Sequence, residues 1–205
     1  MYPVRMPLLV QKALPDAWWR MDASGKNLYL TFDDGPTPGV TDWVLNELER
    51  FDARATFFVL GKNVEAHGLL YDDIIRKGHS TGNHSYSHPD GWKVSKGQYL
   101  QNVAECKPWV NSRLFRPPYG HLTPAQYLKL KKEYTVVMWD VLSGDFDGKI
   151  TAAQCLGQTL ESCRPGSIIV MHDSLKAFDK LKVVLPAFLK AMTEEGYSFL
   201  PLPSA

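Results

Sequence analysis

Cysteine is scarce: the 205 residues hold only Cys106, Cys155 and Cys163. No Cys-x-x-Cys pair occurs, which argues against a thiolate zinc site. Cys155 and Cys163 fall on one helical stretch; at 1.5 Å per residue that separation is roughly 12 Å, beyond disulfide reach. A disulfide framework is therefore not expected. No stretch approaches the ~20 apolar residues of a membrane span. The short run Met6-Pro7-Leu8-Leu9-Val10 is broken by proline and too brief for a signal-peptide core, so no export signal is legible and the chain reads as soluble. Charge of one sign is lacking too. Lys+Arg is 23 against Asp+Glu 22, a formal charge of +1, which gives no reason to expect nucleic acid or anionic lipid as a partner. Internal repeats and low-complexity linkers are absent. What remains is ordinary for one globular domain, 44% hydrophobic and 22% charged, with aromatics at 12% that suit either a large core or sugar stacking.

From about residue 27 onward, apolar β-rich runs alternate with amphipathic stretches. Strands are expected at Asn27–Phe32, Ala55–Leu60, His79–Asn83, Leu114–Arg116, Tyr134–Trp139, Ser167–Met171 and Tyr197–Leu200. Helices are expected at Thr41–Phe51, Leu69–Lys77, Ser95–Asn111, Pro124–Lys132, Thr151–Cys163 and Leu181–Glu195, with Ser95 and Thr151 as N-caps. Seven strands alternating with helices point to parallel βα units. The chain is short for an eight-stranded barrel, so an irregular β/α barrel fits the count, with a doubly wound open sheet as the competing topology. Asp33-Asp34, His84, Arg116, Asp140 and His172 each fall at or just beyond the C-terminal end of an expected strand, the edge where α/β folds bind ligands.

Four strings carry chemistry. Asp33-Asp34-Gly35 ends a strand in a turn; alone it reads as turn chemistry, but neighbouring carboxylates leave a strand in different directions, so one can hold a metal and the other move a proton. Their mutual repulsion calls for a cation or an arginine nearby. His84 and His88, read as one helical turn, share a face and can reach one ion. Neutral imidazole suits zinc, cobalt or nickel, zinc foremost, and two histidines with one aspartate leave positions open for water and substrate. Arg116-Pro117-Pro118-Tyr119-Gly120 brings an arginine to the same rim to hold a carboxylate ionised, with the Tyr119 and Gly120 backbone N–H groups as oxyanion donors. His172 closes an apolar run and suits a general acid for a poor amine leaving group, with Asp145 as the carboxylate raising its pKa. Trp139 lines either an acyl pocket or the core.

These four strings, together with the segment Trp139-Asp140…Asp145-Phe146 that stands fourth among the five, occur in the order found in the polysaccharide deacetylases, and the chain resembles that family (the NodB-homology domain, carbohydrate esterase family four) over about residues 27–200. The resemblance implies a distorted seven-stranded (β/α) barrel and metal-dependent removal of acetyl groups from N-acetylated sugars such as those of chitin oligosaccharides or peptidoglycan. By position, Asp33 matches the catalytic base; Asp34, His84 and His88 match the metal ligands. Arg116 matches the residue holding the base and His172 the acid, with Asp145 its partner. It also implies work on envelope or extracellular polysaccharide. Residues 1–26 are expected as an extension packed on a single domain, acting as a monomer. Two family positions differ in the fourth motif, where Leu142 replaces an acid and Phe146 a tryptophan, and Val170 stands for a leucine two before His172. None of these removes a residue the chemistry needs. O-acetyl ester cleavage on acetylated xylan and inactive glycan binding stay open as alternatives.

Overall fold

The central strand explains the architecture. In the computed structural model, which describes residues 3–203, β1 (Asn27–Asp33) is buried on both faces and pairs in parallel with two neighbours. Side chains alternate along it, because successive residues of a strand point to opposite faces. Leu28, Leu30 and Phe32 join one core cluster, whereas Tyr29 packs on the other and Thr31 and Asp33 share their side with Arg116. The same alternation runs along β2 (Thr56–Val59) and, five strands later, along Ile168–His172. Phe57, Val59, Ile169 and Met171 face the first cluster; Phe58, Ile168 and Val170 face the second. Fully burying each of these side chains stabilises the fold by roughly 1.5–3 kcal/mol.

The remaining strands are β3 (Ser80–Asn83), β4 (Leu114–Phe115), β5 (Thr135–Val136), β6 (Val141–Leu142), β7 (Ile168–His172) and β8 (Ser198–Phe199). Their order is β5-β4-β3-β2-β1-β7-β6, a curled half-barrel of seven parallel strands, with β8 paired separately to the start of β1. The seventh barrel strand is thus Val141–Leu142, which carries no expected strand of its own. The expected Tyr197–Leu200 strand forms, but as the side pairing. Val141–Leu142, with only two residues, is too short to show an alternation in sequence.

Eight helices surround the sheet: α1 (Leu8–Gln11), α2 (Thr41–Arg50), α3 (Gly61–Ala66), α4 (Gly68–Arg76), α5 (Lys96–Cys106), α6 (Pro124–Leu130), α7 (Ala152–Ser162) and α8 (Leu175–Glu194) among the described residues. Ser95 and Thr151 cap α5 and α7 as expected, each within a capping box closed by Gln98 or Gln154. Helix α5 stops at Cys106 rather than Asn111, and α8 begins at Leu175 rather than Leu181, its apolar face reaching Ala177. None of these helices is long and apolar enough to cross a membrane. The three cysteines are free thiols.

The sheet leaves a gap between β5 and β6, and the N-terminal segment lies across it. Trp18 N–H bonds Val136 O and Met138 N–H bonds Trp18 O, at 2.9 and 2.8 Å. Farther back, Leu142 N–H reaches Val4 O at 2.8 Å and Met6 N–H reaches Asp140 O at 3.0 Å. Backbone groups that an open sheet edge would leave unpaired are satisfied there.

Candidate active site

Asp33 is the last residue of β1, and its register partner on β7 is His172. The two therefore stand side by side at the C-terminal rim. Asp33 is buried, and Arg116 Nη1 donates to its Oδ1 at 2.7 Å and to Thr31 Oγ1 at 2.6 Å. The guanidinium also donates to Met138 O at 2.9 Å and lies 4.1 Å above the Phe58 ring. Burial alone would push the Asp33 carboxyl up, yet Arg116 first, then His84 and His172, hold it below the usual carboxylate range. A buried charge pair survives only when its remaining donors are satisfied, as the Arg116 donors are here.

Asp34 follows with φ 81°, in the left-handed region. Its backbone is pinned by Asn63 Nδ2–H to Asp34 O at 2.7 Å. Asp34 Oδ1 is buried without a hydrogen-bond partner among the described residues. It lies 3.3 Å from His88 Nε2 and 3.7 Å from His84 Nε2, and the three candidate ligand atoms fall within 4.8 Å of one another. His84 Nδ1 is 2.8 Å from Arg116 O; a carbonyl only accepts, so Nδ1 carries a proton and Nε2 is the ring nitrogen turned to Asp34. Burial, then the neighbouring His84, push the His88 ring down to about 4, which keeps it neutral. Two imidazole nitrogens and an orphaned carboxylate oxygen fit a divalent transition metal.

The spacing of the two histidines does not come from a helix. Residues 84–88 form a loop, with Ser85 at φ 69° and His88 at φ 65°. The turn is held by Ser85 N–H to Asn83 Oδ1 and His88 N–H to Ser85 Oγ, at 2.7 and 3.1 Å. An i, i+4 spacing is compatible with either geometry, so the helical reading is corrected here.

His172 Nδ1 is 2.8 Å from Asp145 Oδ1, and the other carboxylate oxygen accepts the His172 backbone N–H at 2.7 Å. Burial works against the charged ring, but Asp145, aided by Asp34 and Asp33, raises it to about 9. Phe146 meets its edge at 5.0 Å. Asp140, by contrast, does not join the site. Its carboxylate is fully buried and taken by Arg164 and Ser167 at 2.8–3.0 Å. Asp140 precedes β6 and its partner Ser167 precedes β7, so it lies at the opposite end of β7 from His172 and off the catalytic rim, contrary to the expectation that it closes a strand there. Gly120 N–H is likewise spent on Pro117 O at 2.9 Å, which leaves Tyr119 as the oxyanion-donor candidate of that pair.

Two supporting residues escaped the sequence reading. Thr31 Oγ1 relays between Arg116 and Ile169 O, to which it donates at 2.8 Å. Asp173 is fully buried beneath the Asp33–Gly35 turn, accepting Gly35 N–H at 3.1 Å and Thr41 Oγ1–H at 2.5 Å. Burial pushes its carboxyl up to about 8. A Cβ on Gly35 would sit 2.0 Å from Asp173 Oδ2, so glycine is needed there for space. The signal available was an acid directly following His172 in an otherwise apolar strand. Asp33, Asp34, His84, His88, Tyr119 and His172 border one cavity of about 930 Å³, whose apolar part includes Trp139, Leu142 and Val170.

The sequence profile of the polysaccharide deacetylase family matches residues 20–139. A peptidoglycan-N-acetylglucosamine deacetylase of Bacillus cereus is 32% identical over 191 residues, covering 85% of this chain and 66% of the relative. The peptidoglycan-N-acetylmuramic acid deacetylase PdaC of Bacillus subtilis is 28% identical over 190 residues, covering 88% of this chain and 38% of the relative. This chain thus spans less than two thirds of those two relatives' length. Among solved structures, the Bc1960 peptidoglycan N-acetylglucosamine deacetylase superposes with a TM-score of 0.88 at 27% identity, over 97% of this chain and 95% of that one.

Proposed function

The chain belongs to the polysaccharide deacetylase family, and from that premise we propose that it hydrolyses the N-acetyl group of N-acetylglucosamine-type residues in a glycan, releasing acetate. One observation carries the reading. Asp33 and His172, register partners on adjacent strands, are charge-paired in opposite senses, to Arg116 and Asp145, beside the Asp34–His84–His88 cluster. An amide needs both services at once: a base for the attacking water and an acid for the departing nitrogen.

Asp34, His84 and His88 would hold one divalent transition metal ion, zinc by its donor set. When bound it supplies Lewis acidity to an acyl oxygen and acidifies nearby water. Asp33 takes a proton from water as the new C–O bond forms. Arg116 keeps that carboxylate anionic and fixed. The Tyr119 backbone N–H donates to the oxygen on which negative charge develops. As the C–N bond breaks, His172 Nε2 gives its proton to the nitrogen, and Asp145 stabilises the ring while it is charged. Acetate and a free amino sugar result. Trp139, Leu142 and Val170 offer an apolar wall to the acetyl methyl.

The test is acetate release from chitin oligomers, peptidoglycan and acetyl-xylan, before and after chelation. The expected outcome is release from one of the N-acetylated glycans, abolished by chelator and restored by zinc, cobalt or nickel. Release from acetyl-xylan alone would overturn N-deacetylation in favour of ester cleavage.

A further inference from the structure

The site chemistry uses the inner part of the cavity only. Its volume, about 930 Å³, is near the upper end of the roughly 300–1,000 Å³ of ordinary small-molecule sites, so it has room well beyond an acetamido group. Along one side runs a file of rings. His84 and His88 centroids are 5.1 Å apart, His88 and Tyr119 4.5 Å, Tyr119 and His121 5.8 Å. The file ends at Trp92, whose ring stacks on His121 at 3.5 Å and 8°. Both Trp92 and His121 line the cavity.

Trp92 is unlike the tryptophans of the core. Trp19 and Trp139 are 6% and 8% exposed, whereas Trp92 is 63% exposed. Exposed though it is, the ring is fixed. Its Nε1–H donates to Leu122 O at 3.2 Å and its backbone N–H to Asp90 Oδ1 at 3.0 Å; that same oxygen lies 2.8 Å from His121 Nδ1. The buried Gln126 clamps the two loops together, donating to Gly91 O at 2.9 Å and accepting Thr123 N–H at 2.8 Å. A Cβ on Gly91 would lie 2.3 Å from His121 O, so the loops meet backbone to backbone. His121 covers one face of the indole, and the exposure belongs to the other.

We propose that Trp92, backed by His121, is a platform for a second pyranose of the glycan, one beyond the sugar whose acetamide faces Asp33 and His172. The occupant is a β-linked pyranose with equatorial substituents. Such a ring presents a flat face of axial C–H groups, weakly positive and apolar, which matches the negative π-face of indole. Because the indole is already immobilised, binding costs little side-chain entropy. This assignment rests on the glycan reading above.

The test measures acetate release from N-acetylglucosamine and its oligomers, monomer to hexamer, for the wild type, Trp92→Ala and Trp92→Phe. It is paired with calorimetric titration of the hexamer into each protein and with thermal unfolding of each. In the wild type kcat/KM rises with chain length. Trp92→Ala is expected to lose about tenfold on the hexamer, in KM rather than kcat, and to leave the monomer, which has no second ring, unchanged; Trp92→Phe keeps most of the length dependence. Hexamer affinity falls in parallel. An equal loss at every length, or unchanged hexamer affinity in Trp92→Ala, overturns the platform and leaves the deacetylase reading intact. Hexamer binding that depends on Trp92 in a protein releasing no acetate from any glycan upholds the platform and overturns that reading.

Discussion

The two walls of the cleft are built by opposite rules. One is made of strand ends, where Asp33, Arg116, Asp145 and His172 are paired and little exposed. The other is made of loops around residues 84–92 and 117–122, with several non-glycine residues at positive φ and with Tyr119 and Trp92 open to solvent. Proton transfer needs groups whose charge state is set in advance, and that requires low dielectric with every donor and acceptor assigned. Recognition of a sugar face needs accessible rings held still by their own loops. Burial serves the first purpose and would defeat the second.

The largest break in the first wall should come from Asp33→Asn. It keeps the shape and removes the base, so turnover should fall by roughly 10²–10⁴-fold while metal content, read by elemental analysis, stays at wild-type level. Near-normal turnover would refute the base assignment. Arg116→Met tests whether that wall depends on pairing as claimed. It strands a buried carboxylate, and denaturant unfolding should show a loss of about 3–5 kcal/mol. A loss below 1 kcal/mol would mean that Asp33 finds other compensation.

A smaller, sharper effect is expected from Asp145→Asn. The acid must be protonated, so activity falls as pH rises through the His172 pKa. Burial lowers that value and Asp145 more than offsets it, to about 9. Removing the carboxylate should move the alkaline limb to lower pH; a bound divalent cation lowers it in both proteins. The stability sign follows. A histidine whose folded pKa is raised stabilises the protein fully below its unfolded value near 6.5, and this contribution disappears as pH passes about 9. The stability gap between wild type and variant should therefore be widest in acid and narrow through that window. An alkaline limb that stays in place would remove His172 as the acid.

Much of the strand-borne wall was legible in sequence because its cues are local. Alternation along Asn27–Asp33 and Ile168–His172, a turn signal at Asp-Gly and a capping residue before each of two helices are all written within a few positions. Asp140 and Asp145 show where such cues stop. Both are acids flanking the short strand Val141–Leu142, yet Asp140 precedes it and is consumed by Arg164 and Ser167, whereas Asp145 follows it and serves His172. Nothing within a few residues of either separates them. The loop-borne wall was less legible still: His84 and His88 were placed on a helical turn, and the Trp92–His121 stack joins loops that are remote in sequence.

By itself, then, the sequence determined most of the alternation of strands and helices, the residue types at the rim and a family likeness resting on five ordered motifs. Those properties depend on periodicity and turn chemistry, which act over a few residues. Tertiary structure alone decided that Val141–Leu142 is the seventh barrel strand, that the N-terminal segment satisfies the gap beside it, and that Asp173 holds up the Asp-Asp-Gly turn. It also decided which acid faces which base. Each of these is a choice of hydrogen-bond partner across long chain separations, set by how strands align and which buried groups would otherwise go unpaired.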